Sequence, residues 1–175
     1  MESEDAAEPD AREPRTVAHS EVMLVQQMTQ LEANLLGNIH GGVIMKLVDN
    51  AAGLAAMKHA GGPVVTASLD EMAFIEPVFV GDVVTLRASV NDVGRTSMEV
   101  GVRVDAENYL GTRKVHTSSA YLVYVALDAT GRPRPIPPLI AETAVQQQRQ
   151  REAKLRREAR LARNEAIRKA RAAEE

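Results

Sequence analysis

The sequence predicts an α+β chain in which an antiparallel sheet wraps around one long helix, and three observations carry that prediction. One long segment, residues 43–57, holds only three strongly polar residues, Lys46, Asp49 and Asn50; a strand-like run precedes it, and about four follow it, separated by short Gly-bearing turns. A single helix can cover one face of a sheet, so this order of elements folds into two layers.

Each element has its own signal. In residues 21–31, Val22, Leu24 and Met28 approximate strand alternation. Residues 36–42 form a short glycine-bearing turn. In the helix that follows, Ala51, Ala52, Gly53, Ala55 and Ala56 crowd together, and an apolar circumference this wide calls for burial on more than one side. Gly61, Gly62 and Pro63 end it. The strand-like runs are residues 64–75, 83–93, 97–106 and 113–125, which read as a meander with turns at Gly81-Asp82, Gly94-Arg95 and Leu110-Gly111. Four prolines in residues 131–138 then stop any strand. Residues 139–173 lack Gly and Pro and are rich in helix formers, with Glu152/Arg156 and Glu165/Lys169 as i,i+4 pairs. Leu155, Leu161 and Ile167 make no continuous apolar stripe, so a marginal, solvated helix is expected there.

Composition bounds the function. The chain has 175 residues, 45% hydrophobic and 26% charged but only 3% aromatic, which disfavours a nucleic-acid site built on stacking. It has no Cys, hence no thiolate nucleophile or thiolate metal site, and its four His residues show no ligand spacing, so no metal and no cofactor are expected. The net charge of -3 is an average: residues 1–20 carry -4, residues 21–138 carry -3 and residues 139–175 carry +4. The expected organisation is a disordered acidic arm at 1–19, a domain at 20–138 and a basic helical or partly disordered tail at 139–175. No leader pattern and no membrane-length apolar run is found, which points to the cytoplasm.

Two polar features stand out. Asp49 lies in the apolar helix, where a carboxylate is costly unless paired or employed; it either points to solvent, pairs with Lys46, or acts as a general base or nucleophile. Ahead of the helix, Asn38, His40, Gly41 and Gly42 either form a cap and turn or present backbone N–H groups and the helix dipole to an oxyanion, with His40 as a turn residue or a base. Gly41 and Asp49 are about 12 Å apart along a helix. Asn38 and Asp49 can therefore act on one carbonyl only across a two-fold interface.

The run Gly37-Asn38-Ile39-His40-Gly41-Gly42-Val43-Ile44-Met45-Lys46-Leu47-Val48-Asp49 resembles the signature of the cytosolic acyl-CoA hydrolases, hotdog-fold acyl-CoA thioesterases. Residues 70–82, from Asp70 to Asp82, and the segment from Arg113 to Val125 are similar to later blocks of that family. The resemblance implies a hotdog fold over residues 20–138 and hydrolysis of acyl-CoA to free acid and coenzyme A. It implies Asp49 activating water or attacking directly, Asn38 orienting water or carbonyl, and the Gly42 N–H receiving the oxyanion. It further implies a homodimer at minimum, with a trimer of dimers as the larger assembly open to it, and Gly41, Arg95, Thr96, Ser97, Arg113 and Lys114 as candidates to meet coenzyme A. Met45, Met57, Met72 and Phe74 are candidates to line an acyl tunnel. A non-catalytic acyl-CoA-binding module acting through its basic tail is the alternative, and a dehydratase a third.

Overall fold

The computed structural model describes residues 13–173. In chain order the elements are β1 (Arg15–Thr16), α1 (Val17–Ser20), β2 (Val22–Gln27), a 3-10 turn (Gln30–Glu32), α2 (Gly41–Ala60), β3 (Val64–Phe74), β4 (Val83–Val93), β5 (Ser97–Glu107), β6 (Lys114–Ala126), β7 (Leu139–Ile140) and α3 (Ala144–Ala172). The five long strands form one antiparallel sheet in the order β2-β4-β5-β6-β3, and α2 packs against all five. This is the hotdog arrangement, a sheet wrapped around one helix. Among the described residues no helix is long and apolar enough to cross a membrane.

The helix α2 buries Ile44, Leu47, Val48, Ala51, Ala52, Ala55, Ala56, His59 and Ala60, a single i/i+3/i+4 face. Alanines in its middle let the strands approach closely. Burial on more than one side is not what the single chain shows, because Met45, Asp49, Leu54 and Met57 are exposed on the opposite side. The helix ends where Gly61 adopts φ 70°, a left-handed conformation that costs glycine nothing, and its N–H bonds to the Met57 carbonyl. Arg15 then donates to the carbonyls of Lys58 (3.0 Å) and His59 (2.7 Å), and Arg134 to that of Ala60 (2.8 Å).

Three expectations need correction. Only β4, β5 and β6 form a meander; β3 pairs with β6 at the far edge, from Val64 opposite Ala126 to Phe74 opposite Ser118. Residues 75–82 are too long for a hairpin and carry the chain across to β4, leaving β3 an edge strand. Second, the end of the acidic arm is ordered. β1 pairs in parallel with β7, Val17 is buried, and the Ser20 hydroxyl accepts the Val90 N–H at 2.9 Å. Averaged charge hid this short anchor; residues 1–12 lie outside the described residues.

Third, α3 is neither marginal nor wholly solvated. A capping box between Thr143 and Gln146 starts it. Its first half docks through ions rather than an apolar stripe, which is why hydrophobic periodicity missed it. Arg156 turns away from Glu152 and pairs with Glu99 at 2.7 Å, its guanidinium 3.6 Å from the Tyr121 ring centroid. Arg157 lies 3.9 Å from Asp92, Arg160 pairs with Asp70, and Ala153 is buried. Glu165 and Lys169 do pair, at 3.6 Å.

Candidate active site

Asp49 lies on the exposed side of α2, facing the β3–β6 end of the sheet. Thr66 on β3 and Tyr124 on β6 are directly opposed across the two strands, so their hydroxyls converge. Both donate to Asp49 Oδ1, Thr66 Oγ1 at 2.9 Å and Tyr124 OH at 2.8 Å, and Tyr124 OH also lies 3.0 Å from the Asp49 carbonyl. Asp49 does not pair with Lys46 among the described residues. Burial first, then its bond to Asp49, pushes the Tyr124 hydroxyl well above its usual pKa of 10.0, so it stays a proton donor. One carboxylate oxygen is thereby held, and Oδ2 has no intramolecular donor among the described residues.

Thr66 and Tyr124 carry no signal in the sequence pattern. They are 58 positions apart and meet only because β3 skips two strands to pair with β6.

The second group lies at the start of α2. Asn34 Oδ1 accepts the N–H groups of Leu36 (2.9 Å) and Asn38 (3.2 Å), and the Asn34 N–H donates to the Asn38 carbonyl at 2.7 Å. Gly37 closes that turn at φ 79°. The Asn34 Nδ2 amide makes no hydrogen bond among the described residues. Asn38 is joined to Phe79 by a backbone bridge, and its side chain makes no hydrogen bond among them either. Both asparagines line a cavity of about 340 Å³ of mixed character, with Ile44, Phe74 and Val78 on one hand and Glu76 and Ser118 on the other. Sequence reasoning passed over Asn34, although it stands only four residues before Asn38.

His40 is the helix cap: its Nδ1 accepts the Gly42 N–H at 3.0 Å. The Gly42 N–H is thus engaged, while the Gly41 N–H has no partner among the described residues. Among the tunnel candidates, Met45, Met57 and Phe74 are exposed in the single chain, and Met72 packs against the core.

Within one chain the candidates for coenzyme A lie at opposite ends of α2. Arg113 donates to Asp82 (3.2 Å) and to the Pro77 carbonyl (2.9 Å) and covers the Phe79 ring at 5.0 Å, near the start of α2. Lys114 pairs with Glu107 at 3.4 Å. Arg95, Thr96 and Ser97 lie at the opposite end, where the Thr96 carbonyl accepts the Ala126 N–H at 3.0 Å and Arg134 caps α2. Arg95 is exposed and makes no ion pair among the described residues. No group of three or more potential metal ligands occurs among the described residues.

The family profile described as "Thioesterase superfamily" matches residues 36–110. The mouse cytosolic acyl coenzyme A thioester hydrolase is 36% identical over 144 residues, covering 81% of this chain and 38% of its own length. The chain therefore spans well under half of that relative. A solved acyl-CoA hydrolase of Staphylococcus aureus, in complex with butyryl coenzyme A, coenzyme A and coenzyme A disulfide, superposes with a TM-score of 0.83 at 31% identity, covering 89% of this chain and 95% of that one. An apo-hexameric acyl-CoA thioesterase superposes at 0.84 with 36% identity, covering 87% and 97%. The Staphylococcus enzyme has also been solved with an Asp, an Asn and a Thr each replaced by Ala, the Asn 15 residues before the Asp and the Thr 17 after it. With this identity and coverage, and with the same wrapped sheet, the chain belongs to the family of hotdog-fold acyl-CoA thioesterases related to the cytosolic acyl-CoA hydrolases.

Proposed function

We propose that this chain hydrolyses the thioester bond of acyl-coenzyme A at sites shared by two copies. One observation carries the reading: Asn34, Asp49 and Thr66 stand 15 and 17 residues apart, the spacing of the three residues replaced in the Staphylococcus enzyme. On that spacing Asn34 takes the role that the sequence resemblance placed on Asn38.

The chemistry follows from the two groups. Asp49, steadied through Oδ1 by two hydroxyls, uses Oδ2 to take a proton from water as the water oxygen adds to the thioester carbonyl. The oxyanion meets the Gly41 N–H and the positive end of α2, with the Asn34 amide orienting the carbonyl. Collapse breaks the C–S bond, and the departing thiolate of coenzyme A recovers the proton from Asp49. Within one chain the start of α2 and Asp49 are separated by about 12 Å, too far to serve one carbonyl. Two antiparallel α2 helices remove that gap.

A second copy is supported by what one copy leaves uncovered. Leu31, Leu35 and Leu36, flanking Asn34, are 95%, 106% and 85% exposed, an expensive surface for a lone chain. The exposed side of α2 and the free edge of β3 adjoin Asp49. Antiparallel α2 helices also bring one copy's Arg95, Thr96 and Ser97 to the end where the other copy's α2 begins. Those residues suit the phosphates of coenzyme A better than Arg113 and Lys114, whose charges are engaged. Hexameric relatives support three such dimers, and cytosolic relatives support a cytoplasmic location.

The test has two parts. Acyl-CoAs of graded chain length, with a thiol reagent, should yield free coenzyme A; tight binding without release would reject hydrolysis. Asp49→Asn and Asn34→Ala should each be nearly inactive alone. When the two are mixed through refolding, half the dimers are mixed and half of their sites intact, so about one quarter of wild-type activity should return. No recovery would reject the shared site.

A further inference from the structure

The helix α3 runs off its own sheet. Asp92 on β4, Glu99 on β5, Val123 on β6 and Ser68 on β3 are successive neighbours in one row across the strands. Met98, Val100, Leu122 and Tyr124 belong to the core around α2, so Glu99 and Val123, alternating with them, face the other side. There α3 follows the row. Gln150 reaches Asp92 at 3.3 Å, Arg156 reaches Glu99, and Arg160 reaches Asp70, whose carboxylate takes the Ser68 hydroxyl at 2.9 Å. Three strand spacings cover about 14 Å, and the ten residues from 150 to 160 rise about 15 Å, so the helix crosses the strands and arrives at the β3 edge at Arg160.

Residues 161–172 add about 18 Å beyond that edge. Among the described residues they make no hydrogen bond or ion pair with any other element. They carry Arg163, Arg168, Lys169 and Arg171 against one acid, Glu165, with Leu161 and Ile167 exposed. On the edge strand, Glu71 stands opposite Tyr121, hence on the same outer side as α3, exposed and in no ion pair among the described residues.

We infer that residues 161–172 of α3 clasp a second copy of the chain, lying across the outer side of its sheet with their basic side chains on the partner's Glu71. The inference rests on the shared-site reading, in which two copies meet along β3. Once β3 pairs with its counterpart, the overhang lies beside the second copy's own α3, over the row that runs from Glu71 through Tyr121 and Gly101 to Ser89; the charges are opposite at Glu71, and the two-fold axis doubles the contact.

A chain ending at Arg160 keeps every docking contact of α3 and tests this directly. Sedimentation equilibrium across falling concentrations should show the pair dissociating at least tenfold more readily than the full chain. In the full chain, Arg163→Glu with Arg168→Glu should weaken association in the same direction, and adding Glu71→Arg should restore it. Unchanged association in both variants, with the pair intact and active, overturns the clasp alone. A full chain that is monomeric at every concentration overturns the clasp together with the shared site. If the shortened chain associates normally but loses retention on anionic phospholipid vesicles, the overhang serves a membrane and the clasp is rejected.

Discussion

Replacing Thr66 by Val removes one of the two hydroxyls that fix Asp49 while nearly preserving side-chain shape. A hydrogen bond to a charged group contributes about 1.5–3 kcal/mol, or roughly 10- to 100-fold in rate when it matters only for chemistry. Thr66 is exposed in the single chain, so water can partly replace its hydroxyl, and Thr66→Val should lower kcat about tenfold. Tyr124 is almost wholly buried, and water cannot take its place; Tyr124→Phe should approach a 100-fold loss. Neither hydroxyl is proposed to touch the substrate, so KM should stay within about twofold, and because both hydroxyls hold one oxygen the double variant should lose at least as much as Tyr124→Phe alone. Steady-state release of coenzyme A measures both parameters, with circular dichroism to confirm the fold. Single variants within twofold of wild type in kcat, or a loss confined to KM, would refute the claim that the held Oδ1 positions Asp49 for catalysis.

Two further outcomes concern the scaffold. Arg156→Ala strands the Glu99 carboxylate, 6% exposed, with only the Asn91 amide beside it; breaking a buried pair in this way should cost about 3 kcal/mol in urea unfolding at fixed protein concentration. Arg156→Met with Glu99→Gln should recover most of that loss, and a single variant within about 0.5 kcal/mol of wild type would contradict the ionic docking of α3. His59 is fully buried, with Nε2 3.0 Å from the Pro137 carbonyl and Nδ1 unpartnered; burial holds its pKa below the ordinary 6.5. The unfolded chain therefore binds the extra proton first, so stability should fall as pH drops below about 6.5 towards the folded value. Thermal melts across that window should show a slope that His59→Gln flattens, and equal slopes would remove His59 as its cause.

The order of strand, helix and strands was legible because each depends on neighbours in sequence. Alternation marked β4 and β5, and Gly61 marked the end of α2, with boundaries that moved by a few residues at most. Asp49 was legible for another reason: a carboxylate in an otherwise apolar helix is anomalous wherever the helix packs. The turn around Asn34 was half legible. Its glycines and Asn38 announced a turn, but that Asn34 fixes the turn through Oδ1 while keeping its amide for other work depends on hydrogen bonds that composition does not encode.

Thr66 and Tyr124 acquire meaning only through the β3–β6 pairing, and Arg113 reads as a free cation until Asp82 and Phe79 are placed around it. The tail shows the same limit from the opposite direction. Its charges looked solvated because ion pairs leave no periodic trace, yet Asp70, Asp92 and Glu99 bind its first half to the sheet. What the sequence determined by itself was the succession of elements and one chemically unusual helix, since local propensity and periodicity act over a few residues. Which strands are neighbours, which hydroxyls reach Asp49 and which charges are already engaged were decided by the tertiary structure, because those contacts join residues tens of positions apart.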